Sequence, residues 1–223
     1  MNALLIRVAA DQSGGDGRWN GPVDSRTGDF IYVAIPEKSP VQVGLEKPYS
    51  ALSCSLSRLG VTLPPHLRTG RMHLDPDFER LTYGDAGERG KQIRGHLESG
   101  DLAVFYGALK DINGGTELVY ALVGIFVVDF LLSAADVGEL DRDVNAHSRR
   151  ILGKDARDVI VFGRPGLSGR LKHCIPIGEY RDRAYRVRRE LIQAWGGLTV
   201  KDGYLQRSAR LPRFLDSVRF LSC

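Results

Sequence analysis

GDLAVFYGALKD (residues 100–111) and ELVYALVGIFVVDFLL (117–132) are the two most apolar stretches of the chain, and INGG stands between them. Runs rich in Val, Phe, Tyr and Ile joined by an Asn-Gly-Gly turn predict a β-hairpin. Neither run alternates cleanly with polar residues, so the hairpin is expected at the centre of a sheet. Working outward, ALLIRVA (3–9), FIYVAIP (30–36) and DVIVFG (158–163) read as further strands bounded by Gly, Asp and Pro. GERGKQIRGHLESG (87–100) predicts a short helix with Ile93 and Leu97 on one face, closed by Gly100. VRRELIQAWGG (187–197) predicts an amphipathic helix with Leu191 and Trp195 on its apolar face and a glycine pair at its end. A short helix within KPYSALSCSLSRLG ends at Gly60, the prolines of LPPHL then predict an extended connection, and another short helix follows Pro212.

At 223 residues and 43% apolar the chain can bury a substantial core. With no repeat, low-complexity tail or linker, the expectation is one α+β domain over 1–223, built on a central, mainly antiparallel sheet with peripheral helices. No run approaches the roughly 18 consecutive apolar residues of a membrane span. MNALLIRVAADQ lacks the parts of a signal peptide. Cys54, Cys174 and Cys223 are scattered, with no CxxC pair, which argues against a disulfide framework or a thiolate zinc site. A cytoplasmic protein without membrane contact is expected.

The net charge of +4 hides an asymmetry. Residues 147–223 hold 17 Lys and Arg against 7 Asp and Glu, whereas residues 1–146 hold 14 against 20. A basic final third suits a polyanion. There, Arg164, Arg170, Arg181, Arg183, Lys201, Arg207 and Arg210 are candidate phosphate-binding groups, and Tyr180 and Tyr204 are candidate stacking rings. Ser168 lies between Gly166 and Gly169, where backbone N–H groups can approach an anion. Trp195 is expected in the core.

DQSGGDGRWNGPVDSRTGDF (11–30) is a twenty-residue connection, longer than compact domains normally carry without a function. Its glycines do not give G-x-G-x-x-G, and no Walker pattern occurs in the chain, so a phosphate cradle is excluded. We read it as a binding loop anchored by Trp19, with Asn20 and Asp24 as its polar reading groups. In HLDPDFERLTYGD (73–85), His73, Asp75 and Asp77 alternate in a way that can supply metal ligands. A calcium loop needs a longer series ending in glutamate, so an acidic turn around Pro76 is expected instead. No metal and no cofactor are expected. His147 in VNAHSRR and Asp85 are acid–base candidates, although neither shows a partner in sequence.

LLIRVAADQS, WNGPVDSRTGDFIYVAIPE, DPDFERLTYGD, GDLAVFYGALKD, NAHSRR, RPGLSGRL, CIPIGEYRDRAYRVR and AWGGLTVKDGYLQRSARLP together resemble the nucleotide modification associated domain 3 family over nearly the whole chain. That resemblance implies a place among systems that modify DNA bases, in a bacterial modification or defence setting, without assigning a reaction. A second, shorter resemblance covers residues 100–129. Gly100, Asp101, Phe105, Tyr106, Val123, Gly124 and Val128 are similar to the paired strands of PUA-like domains of the EVE and ASCH groups. It implies a small, partly closed β-barrel that holds a modified or unstacked base.

Three functions stay open. A reader of modified or unpaired bases in nucleic acid, DNA before RNA, would stack a base on Trp19 or Tyr106. It would read the base edge with Asn20 and Asp24, and hold phosphates with the C-terminal arginines. An enzyme acting on a nucleotide or modified base, by glycosidic-bond hydrolysis or group transfer, would draw on Asp24, Asp85 or His147, with Asp11 and Asp202 as further groups. A protein-interaction scaffold would use neither set.

Overall fold

The structure is a computed structural model and describes residues 1–11, 19–153, 156–206 and 208–223. The hairpin at its centre is as expected: β6 (Leu102–Asp111) pairs antiparallel with β7 (Leu118–Ser133). Both strands are buried on both faces because the sheet separates two cores. Alternation along β6 sends Ala103, Phe105 and Leu109 to one core and Leu102, Val104, Tyr106 and Ala108 to the other. β1 (Ala3–Arg7) lies parallel to β6 and divides its side chains in the same way, Leu4 and Ile6 against Ala3 and Leu5.

β2 (Pro22–Val23) adds to the far end of β6, also parallel. β3 (Ile35–Pro36) pairs with β4 (Met72–His73) as a separate two-stranded ladder. The second half of β7 pairs with β8 (Val159–Gly163), which in turn pairs with β5 (Thr82–Asp85). The path β1-β6-β7-β8-β5 is therefore open, and among the described residues no ladder joins its ends. This is the expected α+β class with a mainly antiparallel sheet; it is not a closed barrel.

Between β3 and β4, 3₁₀ turns at Tyr49–Leu52 and Pro65–Leu67 flank α1 (Ser53–Arg58). LPPHL is thus a tight turn, not an extended connection, because a proline at the first turn lacks only an N–H that would be orphaned anyway. α2 (Gly87–His96) buries Ile93, and Leu97 packs in the core just beyond its end. α3 (Ala146–Arg149) is a single turn ahead of β8. α4 (Arg189–Ala194) ends at the buried Trp195, and Gly196 and Gly197 follow at φ 74° and 105°, a left-handed turn that a side chain would strain. α5 (Ser217–Leu221) follows Pro212 as expected.

Two differences from the sequence reading matter. Of residues 30–36 only Ile35 and Pro36 join a ladder. Phe30 to Ala34 are buried but pair only singly: Phe30 bridges Val23, Ile31 N–H bonds to the Pro22 carbonyl of β2 (3.1 Å), and the Val33 carbonyl accepts from Ala10 N–H (2.7 Å). Residues 169–187, where the sequence reading named basic and aromatic side chains but no element, form β9 (Gly169–Pro176) against β7 and the hairpin β10 (Gly178–Arg181) with β11 (Ala184–Val187). The last segment returns to the first strand. Leu5 N–H bonds to the Pro212 carbonyl (2.8 Å) and Phe214 N–H to the Ala3 carbonyl (3.1 Å), on the edge of β1 opposite β6. Among the described residues no helix is long and apolar enough to cross a membrane.

Candidate functional site

β4 carries His73, and Asp75 follows two residues later, before the chain turns back into β5. The turn is tied by reciprocal backbone bonds between Asp77 and Thr82 (2.8 and 3.1 Å). Asp75 is largely buried, with 9% of its surface exposed. Its Oδ1 accepts from Gly84 N–H (2.8 Å) and from Asn145 Nδ2 (2.9 Å). Asn145 is the N-cap of α3. Its side-chain oxygen accepts from His147 N–H (2.9 Å), and Ser148 Oγ closes a capping box on Asn145 N–H (3.1 Å). One buried amide therefore joins β5, Asp75 and α3, with a further bond to Thr82 Oγ1 (3.2 Å).

The capped turn delivers His147 onto the backbone of β5. A Cβ on Gly84 would stand 2.3 Å from His147 Cδ2, so only glycine permits this approach. His147 Nδ1 lies 2.5 Å from Asp158 Oδ2, its Nε2 lies 3.8 Å from Asp75 Oδ2, and its ring meets that of His73 edge-on at 4.8 Å. His73 Nδ1 is in turn 2.6 Å from Glu37 Oε2, and Arg150 grips Glu37 through two nitrogens.

The carboxylates differ in environment. Burial raises Asp75, and the neighbouring histidines and its two donors only partly offset this. Burial also opposes ionisation of Glu37, but the bonds from His73 and Arg150 outweigh it and bring its pKa to about 2. The His147 bond holds Asp158 below the usual carboxylate range. Glu37 and Asp158 are thus ionised acceptors at neutral pH, and Nδ1 is the ring nitrogen that each histidine turns to its carboxylate.

His73, Asp75 and His147 floor a cavity of about 410 Å³, with Arg7, Lys38, Arg89 and Arg150 on its walls and Val8, Ile35 and Pro36 as apolar lining. Asp85 reaches it too, bonded to Tyr83 Oη (2.5 Å) and Arg89 Nε (2.9 Å). A second cavity of about 470 Å³ shares Arg7 and Arg89 with the first. Arg186, Lys201, Tyr204, Ser208 and Arg210 line it over Leu5 and Tyr106. Both volumes lie in the ~300–1,000 Å³ range of small-molecule sites.

The structure thus brings Asp85 and His147 to the first cavity, and Tyr106, Tyr204, Lys201 and Arg210 to the second. Tyr106 is nevertheless almost wholly buried, and its hydroxyl donates to the Leu205 carbonyl (2.7 Å). Asp11 also lines the first cavity, ion-paired with Arg7 (2.6 Å), and the remaining described candidates line neither. Trp19 packs on the core, and buried Asn20 bonds to the Ala108 carbonyl (2.8 Å). Half-buried Asp24 braces the hairpin turn through Asn113 (2.7 Å). Ser168 bonds to Val127 N–H (3.0 Å), and Arg170 lies over the Phe30 ring. Arg164 faces Asp129 and Ser99. Arg181 is held by Glu179 and Asp202, Tyr180 packs edge-on against Tyr185, and Arg183 sits at the β10–β11 turn. Arg207 and residues 12–18 of the proposed binding loop lie outside the described residues.

Sequence reasoning missed Glu37, Asn145, Asp158, Arg7 and Arg89. The one available signal was the His73-x-Asp75 spacing, which puts both side chains on one face of extended chain. A family model described as nucleotide modification associated domain 3 matches residues 2–216. No curated protein matches the chain. Among solved structures the chain is similar to the N-terminal domain of Thermococcus gammatolerans McrB bound to m5C DNA. The identity is 11% and the TM-score 0.36, with 99% of this chain and 94% of that one covered. A likeness that distant carries no argument about ligand or mechanism.

Proposed function

From the premise that this chain belongs to the nucleotide modification associated domain 3 family, we propose that it binds a modified base of DNA drawn out of the stack. The observation that carries the reading is the pair of cavities joined at Arg7 and Arg89. The first offers fixed polar groups, Asp75 and His147, and apolar walls to a base edge. The second offers Arg186, Lys201 and Arg210 to the adjoining phosphates. Extruding a base costs a few kcal/mol, least for a damaged or unpaired one, and phosphate contacts offset that cost. The protein then works in the cytoplasm, within a base-modification or defence system, and needs no cofactor to bind.

Titration of single- and double-stranded DNA, unmodified and carrying a panel of modified bases, at two salt concentrations tests this. Salt-sensitive binding with preference for one modification is expected. Absence of binding to every oligonucleotide and free nucleotide overturns the reading.

A second reading is favoured by one observation, the His147–Asp158 pair beside Asp75. A histidine oriented by a carboxylate can act as a general base, and a buried carboxyl with a raised pKa can act as an acid. Such an enzyme would hydrolyse or transfer at the glycosidic bond of the bound nucleotide. Release of free base, followed by chromatography and lost in His147→Gln, separates it from a reader.

A further inference from the structure

We propose that His73, Asp75 and His147 form a binding site for one divalent transition-metal ion, its open positions facing the 410 Å³ cavity. One ligand atom from each residue lies within 4.8 Å of the other two. Two ligands about 2.1 Å from one ion stand at most ~4.2 Å apart, so the 3.8 Å between His147 Nε2 and Asp75 Oδ2 suits a shared ion. The widest pair, up to 4.8 Å apart, must close by about 0.6 Å for ligands on opposite sides of the ion and by more than about 1 Å for a tetrahedral one.

The surroundings carry the argument beyond proximity. A metal-binding histidine almost always donates its other ring N–H to a carboxylate, which fixes the ring and raises its basicity. Here both do, His73 to Glu37 and His147 to Asp158. Asp75 repeats the pattern. Its Oδ1 is spent on Gly84 and Asn145, which leaves Oδ2 for the ion. A buried carboxylate between two imidazoles is costly without a compensating cation. Two nitrogens and one oxygen on one side of an open cavity suit zinc, iron(II) or manganese. Calcium and magnesium, which ask for oxygen ligands, are disfavoured. The site shares Asp75 and His147 with the base-binding reading, but the case for a bound ion does not depend on that reading. That its open positions take an oxygen of the bound nucleotide or a water to be activated does rest on that reading.

The test uses the whole chain, stripped with a chelator and titrated with zinc, manganese and cobalt(II) in the absence of nucleotide. Stoichiometry comes from elemental analysis and affinity from calorimetry. One equivalent is expected, with a rise in Tm. The cobalt spectrum should lack thiolate charge transfer, which separates this site from exposed Cys54 and Cys223. His147→Gln and Asp75→Asn should each weaken binding at least 100-fold. Asp158→Asn, which only releases the ring, should keep the stoichiometry and weaken binding about 10- to 100-fold. The wild-type titration needs no variant to fold. Uptake below one equivalent without a shift in Tm overturns the proposal, as does unchanged affinity in a folded His147→Gln chain. Either result would mark the cluster as a buried ion-pair network. DNA binding by the stripped protein is measured separately, so loss of the metal site and loss of the base-binding reading are distinguishable.

Discussion

The two cavities meet at Arg7 and Arg89 but are assembled in opposite ways. The floor of the first is gathered from five segments: Glu37 after β3, His73 and Asp75 around β4, Gly84 in β5, Asn145 and His147 at α3, and Asp158 before β8. Each polar group there has a fixed partner. The second is walled largely by one stretch, residues 199–212, laid against β1 and β6, and its cations work by charge more than by position. Arg186 lies over the Tyr204 ring and 3.6 Å from Asp202. The contrast separates a preorganised site from an electrostatic one, and the two should fail differently under mutation.

The largest effect is expected beneath the first cavity. Arg149 of α3 is buried against Asp77 (2.6 Å) and Asp143 (2.9 Å). Arg149→Met leaves Asp77 buried without its charge partner and should cost about 3–5 kcal/mol in urea unfolding. Less than 1 kcal/mol would mean that α3 is anchored by its cap alone. Next comes Gly84→Ala, which drives a methyl group into His147. It should cost about 1–3 kcal/mol by the same assay and displace the His147 ring, read as a changed imidazole signal in NMR.

The second cavity should behave otherwise. Lys201→Ala and Arg210→Ala should leave stability within about 0.5 kcal/mol, because neither side chain supports the core. Each should instead flatten the salt dependence of DNA binding by about 0.9 in log–log slope. A stability loss there in place of a slope change would erase the distinction between the two cavities.

The smallest effect belongs to a clip remote from both. Burial opposes ionisation of Asp111, but bonds from Ser25 and Asn113 together outweigh it and lower its pKa to about 2. A depressed carboxylate stabilises the fold above its unfolded value near 4, and that contribution fades as pH falls from about 4 through 2. Asp111→Asn should therefore change Tm slightly at neutral pH, remove this acid-range slope and leave DNA binding untouched.

The hairpin was legible because both of its faces are buried, so apolar residues run continuously through it. β9 was not, because Arg170, Lys172 and His173 point to solvent and hide its pairing with β7 behind charge. The site was half legible. His73, Asp75, Asp85 and His147 each stood out as residue types, yet what gives them a role is Glu37, Asn145 and Asp158, brought from separate segments by long-range strand pairing that no local spacing records. Trp19 and Asn20 stood out for the converse reason. A long polar loop suggested recognition, but its described end is spent on packing against the hairpin.

The edge of β1 taken by residues 212–214 sets a timetable. During synthesis Ala3–Arg7 is made about a hundred residues before its inner neighbour and about two hundred before its outer one. An apolar strand with two unpaired edges is the kind of segment that strays into other chains, so the nascent protein has most need of a chaperone while this strand waits for its partners. The second cavity likewise has no outer wall until Pro212 has been made. A chain interrupted before Thr199 would keep every residue that lines the first cavity and lose most of those that line the second, a natural fragment for asking what the first cavity does alone.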